Sequence, residues 1–489
     1  MAEPGSATVD KQVAGLRNRH IAMISLGGTI GAGLFVGSGA AIAATGPAVV
    51  LAYLLVGGLV VLVMRMLGEM VVADPGRGSF VEYIRAAHGD RMGFTAGWLY
   101  CFFWIVALGS EAIAGAILLR DWINLPVWLL AILIIGVLKA VNFAAPRIFG
   151  ECEFWLSTIK VVSIVAFVLL SALYVSHVFG PGVAVTHNVM GHGGVFPFGA
   201  AAVISIIPTV MFSMIGAEIA TVAAAESPEP HKSIARVTRS LGLRVTLFYV
   251  LAISMILIVV PWTSIVGGQS PFVAAMDVMG VPGAGLMMRI VVLSAILSCL
   301  NSCLYITSRV LTELATRGDA PAILARRAAS GAPRAAIAFS ALAGTLVAFS
   351  SILAPNTIFV FLLSCSGGVI LVIYTLIVTA YIVSRNKARR TGREAGLYTL
   401  PLFPLCNYAT LAAAGLVFGT MFLNPDQRMT ALASLATSLA CYGLGSFFIG
   451  RREARLARPD GWTKPKAPAR PARPTPGLGS GNAHAVEPR

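Results

Sequence analysis

Three ionisable residues stand in otherwise apolar stretches of the chain: Glu111, Lys160 and Glu218. An ionisable side chain at mid-depth in a bilayer costs about 2.5–3.5 kcal/mol on insertion scales, so each needs a task. Glu111 suits a proton-linked carboxylate or part of an ammonium site; it would equally serve as a hydrogen-bonded acid that stabilises packing. Glu218 can balance a cation, or can sit at a half-helix N-terminus where the dipole favours an anion. Lys160 can act as a buried coupling group. It can also snorkel to the nearer surface, about 10 Å away at 1.5 Å per residue. Arg65 and Glu69 are spaced i,i+4 and can pair as a structural or gating bridge. Cys299 and Asn301 place small polar groups in a further apolar run, where an ordinary buried cysteine is the competing reading.

Two segments look unable to remain regular helix. The first, Leu26–Phe35, reads LGGTIGAGLF and holds four glycines in seven residues, each costing about 1 kcal/mol against alanine in a helix interior. A membrane tolerates the freed backbone groups only where they line a cavity or meet a ligand. Close packing through Gly27 and Gly31 is the simpler alternative. No strand precedes the cluster, so it is not a dinucleotide-binding loop. The second segment, Val210–Glu218, carries Ser213, Gly216 and the acid. Interrupted segments at corresponding places in two halves point to a transporter site, with half-helix N-termini facing an anion and unwound carbonyls facing a cation. A substrate with both a carboxylate and an ammonium group fits.

The elements that must position these groups follow from composition. Of the 489 residues, 57% are hydrophobic and 12% are charged, against about 25% charged in soluble domains. A soluble enzyme, a disordered regulator and a disulfide scaffold are thereby excluded. Charge-free windows of the length a membrane helix needs occur at 21–43, 46–64, 92–110, 123–138, 195–217, 245–276, 290–308, 335–384, 395–425 and 429–450. The long run 335–384 divides at Ala354-Pro355-Asn356. Pro401 and Pro404 restrict the ninth window to one helix from about Leu405 to Leu423. With the Lys160 segment, 154–177, the expectation is an all-α protein of 12 transmembrane helices.

Of the 36 Lys and Arg, 31 fall on the side of the N-terminus and 3 on the other. That bias puts both termini in the cytoplasm, and it absorbs the net charge of +15 without a nucleic-acid partner. Residues 1–20 form a cytoplasmic segment without signal-peptide character, 21–450 the membrane domain, and 451–489 a basic Pro/Ala-rich tail expected to be disordered. Seven scattered cysteines without a CxxC pair argue against disulfides and metal.

Several stretches make the chain resemble the amino-acid permeases of the amino acid–polyamine–organocation superfamily, most closely the bacterial γ-aminobutyrate permease branch. They are Arg17–Ile21, Gly27–Phe35, Met64–Met70, Phe149–Trp155, Ala223–Pro228, Ser298–Ser302 and Arg317–Pro321. The resemblance implies two inverted five-helix repeats of the LeuT type, about 21–177 and 195–384, with two further helices at about 405–450. Helices one and six would be discontinuous, with the substrate between them. It implies that amides around Gly31, Ala32 and Gly33 take the substrate carboxylate. Carbonyls near Ile30 and around Phe212, Ser213 and Met214 would take the ammonium, with Phe212 as a gate. It also implies that Lys160 stands where sodium-coupled relatives hold a metal ion, and that Cys299 lies near the transport path. Met214 and Ile215 depart from the usual pattern.

The expected function is secondary transport. The chain would import a small zwitterionic amino acid, foremost γ-aminobutyrate, with protons across the bacterial inner membrane. A permease or exchanger for proline, an aromatic or a basic amino acid is the alternative. No enzymatic motif lies on any span, so neither catalysis nor a cofactor is expected. The partners are the amino acid, protons and lipid, with no obligate protein partner.

Overall fold

The structure is a computed structural model, and it describes residues 30–74, 77, 79–143, 146–179, 183–216, 218, 240, 245–328, 331–391, 400 and 402–456. The segment 1–20, Gly27, Gly28, and the tail beyond 456 lie outside the described residues.

Among those residues every regular element is helical. Eight stretches are long and apolar enough to cross a membrane: Ala32–Ala73, Asp90–Leu119, Glu153–Val175, Ala284–Thr316, Arg334–Ile352, Pro355–Arg390, Leu405–Leu423 and Pro425–Ala454. Three shorter apolar helices cover Val127–Asn142, Gly199–Phe212 and Phe248–Val259.

The first stretch is composite. A short α1 (Ala32–Phe35) is parted by Val36 from α2 (Gly37–Thr45), and a 3-10 turn over Gly46–Ala48 leads to α3 (Val49–Ala73). Gly46 makes the corner at φ 62°, a region side chains resist. The amphipathic α4 (Phe80–His88) precedes α5 (Asp90–Leu119), then α6 (Val127–Asn142), α7 (Pro146–Val175) and α8 (Val185–Met190). The second interrupted segment comprises α9 (Gly199–Ser205) and α10 (Ile207–Phe212), offset at Ile206. Pro208, lacking an N–H, can only open a new helix there. After Phe212 the chain turns through Ser213–Gly216.

One charge-free window is corrected. The run 245–276, read as a single span, holds a π-helical turn (Val245–Leu251) running into α11 (Ala252–Val259), and then a separate α12 (Pro271–Met279). Pro261 stops the first helix, the pair Gly267-Gly268 lies in the connection, and Pro271 opens the second in the position where proline is tolerated. Beyond it come α13 (Ala284–Thr316), α14 (Arg334–Phe349), α15 (Pro355–Arg390), α16 (Leu405–Leu423) and α17 (Pro425–Leu456). The break between α14 and α15 falls at Pro355.

The long α5 is the central post, packed against α13, α15, α14 and α6. Small residues let the helices close on one another: Gly344 of α14 faces Leu108 of α5, and Gly367 of α15 lies on the backbone of Pro208. Large apolar side chains such as Val137, Leu169, Leu346 and Leu439 point outward, as a lipid-facing surface requires. The chain forms one unit to Ser446 and a second from Phe447 onward; within the second, Arg451 stacks 4.1 Å over the Phe447 ring.

Candidate functional site

The site grows from the interruption at Gly31. This residue is extended (φ −142°, ψ −148°) and precedes α1, so the amide of Ala32 lacks a helical acceptor. Glu111, in the middle of α5, supplies one: the Ala32 N–H donates to both carboxylate oxygens, at 3.0 and 2.9 Å. Gly31 permits the approach. A Cβ there would lie 2.5 Å from both the Cys299 Sγ of α13 and the Glu111 Oε1. At Gly33 a Cβ would fall 2.8 Å from the Ser213 Cα and 3.0 Å from the Phe212 ring. The two interrupted segments therefore touch through Gly33, while the pairing of Gly27 with Gly31 lies outside the described residues.

Between them lies a cavity of about 20 Å³, lined by Gly33, Phe103, Trp104, Ala107, Glu111, Phe212, Ser213, Ile215, Cys299 and Cys303. That is room for a single water, so the site is closed. Phe212 lines it, its ring 5.9 Å from that of Phe103. The Ser213 carbonyl accepts from the Tyr249 hydroxyl at 2.5 Å, and the Ser213 hydroxyl donates to the Val210 carbonyl at 2.7 Å. The Trp104 indole is buried on the wall, its ring edge-on to that of Tyr100 at 5.9 Å.

Gly33, Glu111, Phe212, Ser213 and Cys299 thus come together, with Gly31 and Ala32 directly behind them. Ile30 and Met214 are buried beside this group but outside the lining. Glu218 also stays outside it; its carboxylate accepts from the Tyr100 hydroxyl at 2.9 Å and the Gly216 amide at 3.2 Å. Lys160 is fully buried, which removes the snorkelling alternative, and it lies within electrostatic reach of Glu111, Cys299 and Cys303. Asn301 is engaged by Asn142 of α6 at 2.7 Å, away from the cavity.

The i,i+4 ion pair from Arg65 to Glu69 is replaced by a longer-range one. Glu69 binds Arg385 of α15 at 3.3 Å and accepts from the Tyr381 hydroxyl at 2.7 Å and the Leu400 amide at 2.8 Å. A donor from another helix can reach the carboxylate in the packed bundle, and spacing along one helix cannot reveal it.

Sequence reasoning passed over Phe103, Trp104, Ala107 and Cys303. Three of them were within reach, since Ala107 and Phe103 or Trp104 lie one and two turns before Glu111 on the same face. Cys303 follows Cys299 by one turn.

A second charged region joins α4 to the end of α13. Arg85 binds Asp319 at 2.5 Å, Asp90 at 3.0 Å and Glu82 at 3.3 Å, while Arg317 binds Glu82 at 2.8 Å. Burial alone would lower the Arg85 guanidinium. The hydrogen bond to Asp90 and the fields of Asp319 and Glu82 reverse this and raise it above its ordinary value. The Trp98 indole donates to the Asp319 carbonyl at 3.0 Å. Among the described residues no group of three or more His, Cys, Asp or Glu side chains is arranged to hold a metal ion.

The chain is similar to several known transporters. It is 40% identical over 432 residues to the γ-aminobutyric acid permease of Bacillus subtilis, covering 87% of this chain and 91% of that one. It is 38% identical to the γ-aminobutyric acid permease of Escherichia coli over 87% of this chain and 92% of that one. It is 34% identical to an aromatic amino acid transport protein of Escherichia coli over 89% and 95%. In three dimensions it resembles a manganese transporter of Eremococcus coleocola with TM-score 0.55 at 15% identity, over 92% of this chain and 97% of that one, a likeness of fold alone. The profile of the amino acid permease family matches residues 20–451, and the chain belongs to that family.

Proposed function

We propose that this permease imports a small zwitterionic amino acid, γ-aminobutyrate foremost, by proton symport across the bacterial inner membrane. It would work by alternating access between two inverted five-helix repeats followed by two further helices. The twelve-helix reading is supported by the eight long and three shorter apolar helices, the first long stretch being divided at Gly46–Ala48. Cytoplasmic termini are supported by the 31 to 3 distribution of Lys and Arg.

The observation that carries the reading is the Glu111 carboxylate on the Ala32 amide. In the closed form this internal anion holds the seat that the substrate carboxylate takes. An incoming carboxylate displaces it, and the displaced Glu111 is an acceptor for a proton entering with the substrate. The Ile30, Phe212 and Ser213 carbonyls receive the ammonium, and Phe212 swings aside for entry. Glu218 acts as the more distant anion that keeps this end of the site receptive to a cation. Lys160 responds to the change of charge at Glu111. Cys299 borders the path through its contact with Gly31.

A second reading, an aromatic amino acid as substrate, draws on the 34% identity to the aromatic transporter and on the Phe103, Trp104 and Phe212 walls. Labelled γ-aminobutyrate uptake into proteoliposomes, competed by a panel of amino acids, decides between them. Saturable uptake driven by an alkaline, negative interior and untouched by excess phenylalanine is expected. Uptake indifferent to both gradients would overturn coupling. Uptake that appeared only after preloading would mark an exchanger.

A further inference from the structure

Glu153 is a charged residue that the mechanism above leaves unused. It lies about two turns into α7 and has 0% exposure. Its Oε1 accepts from the Ser298 hydroxyl at 2.6 Å and the Ser157 hydroxyl at 3.2 Å, while its Oε2 is buried with no hydrogen-bond partner. An unsatisfied buried acceptor is costly, and a proton on this carboxyl oxygen relieves that cost.

Its placement gives it another task. Glu153, Ser157 and Lys160 follow one another at i, i+4 and i+7, along one face of α7. Glu153 lies about 10 Å from Lys160 at 1.5 Å per residue, toward the N-terminal end of the helix. Across from it, Ser298 adjoins Cys299, which touches Gly31 at the site. One turn further along α13, Ser302 has a buried hydroxyl with no partner.

We propose that Glu153 is the proton relay on the cytoplasmic side of the site. This rests on the proton-coupled reading. The Lys160 ammonium gives up a proton, which passes by way of the Ser157 hydroxyl to the Glu153 carboxylate. A neutral amine and a carboxylic acid result. The acid then releases the proton to water at the N-terminal end of α7 and returns to carboxylate. The amine is later reprotonated by the proton that Glu111 took up, which returns Glu111 to carboxylate. Among the described residues, the groups facing this acid are few. On α13 the titratable side chain within electrostatic reach is Cys303, and α6 contributes Asn142 nearby through Asn301. The ammonium of Lys139, on α6, sits 6.0 Å over the Phe143 ring. The sequence of α11 carries no ionisable residue. In the π-helical turn the Tyr249 hydroxyl is spent on Ser213.

The test separates proton release from substrate movement, using the full chain in proteoliposomes. Glu153→Gln keeps an oxygen for both serines and loses the titrating group. We expect this variant to exchange labelled for unlabelled γ-aminobutyrate at near the wild-type rate, yet to lose pH-gradient-driven accumulation by about tenfold or more. Glu153→Asp should restore part of that accumulation. Wild-type accumulation by Glu153→Gln would overturn the relay, and so would loss of exchange together with accumulation, which marks a structural role. If the wild-type protein itself ignores the gradient, the coupled reading fails and the relay falls with it.

Discussion

The two charged regions of this protein are built on opposite plans. Around Arg85 three carboxylates are matched: Glu82, Asp90 and Asp319 converge on one guanidinium, and Arg317 takes the second oxygen of Glu82. Around Gly31 the accounts are left open. Glu111 turns both oxygens to a neutral backbone amide, with the Cys299 thiol beside them, instead of to a guanidinium. A saturated network resists change, because breaking any bond strands a buried charge. An unsaturated one is poised to accept a ligand that supplies what is missing. The first region therefore resists rearrangement, and the second is where we place the transport step.

The largest effect should come from forcing the interrupted segments apart. Gly33→Val places two methyls against Ser213 and Phe212, overpacking worth about 1–3 kcal/mol, and we expect uptake to fall to background while the protein remains membrane-inserted. Normal uptake by this variant would show that the contact between α1 and α10 is incidental.

Next comes the internal anion. Glu111→Gln keeps an oxygen for the Ala32 amide but cannot titrate, and gradient-driven uptake should drop by about a hundredfold with its pH dependence flattened. An unchanged pH profile would remove Glu111 from coupling.

The saturated region should respond in stability instead. Arg85→Ala strands the buried Asp319 carboxylate and leaves Glu82 to Arg317 alone, and we expect a loss of about 3 kcal/mol, read as a lower unfolding temperature in detergent. If stability held and only substrate affinity changed, the division of labour between the regions would be wrong.

The smallest effect belongs to His88, near that region, where the ring meets the Thr379 hydroxyl at 3.1 Å. Burial lowers its pKa below 6.5, so the unfolded chain binds this proton more readily than the folded one. Its contribution is therefore present above pH 6.5 and is lost as pH falls through the lower folded value. His88→Gln should slightly flatten the decline of thermal stability between pH 8 and 5.5. A steeper decline would reverse the sign.

Much of this architecture was legible in residue order. Proline placed the break before α15 and the start of α16, and the glycine cluster marked the interruption at Gly31, because both effects act on the local backbone. The window 245–276 misled because absence of charge reports only a tolerance for apolar surroundings. Pro261 and Gly267-Gly268 were the signals of its division. Glu111 and Lys160 stood out because an ionisable residue in an apolar run is costly wherever it packs. What each one touches could not be read in that way.

Sequence by itself determined that the chain is a membrane protein of helices, where those helices falter, and which few charges must be explained. Those properties follow from hydropathy, backbone conformational cost and desolvation, each a property of a residue and its near neighbours. Only the tertiary structure decided that Glu111 meets Ala32, that Glu69 meets Arg385 instead of Arg65, and that Glu153 is held by Ser298. Hydrogen bonds and ion pairs act over about 3 Å, and the packing of helices far apart in the chain chooses which groups come that close.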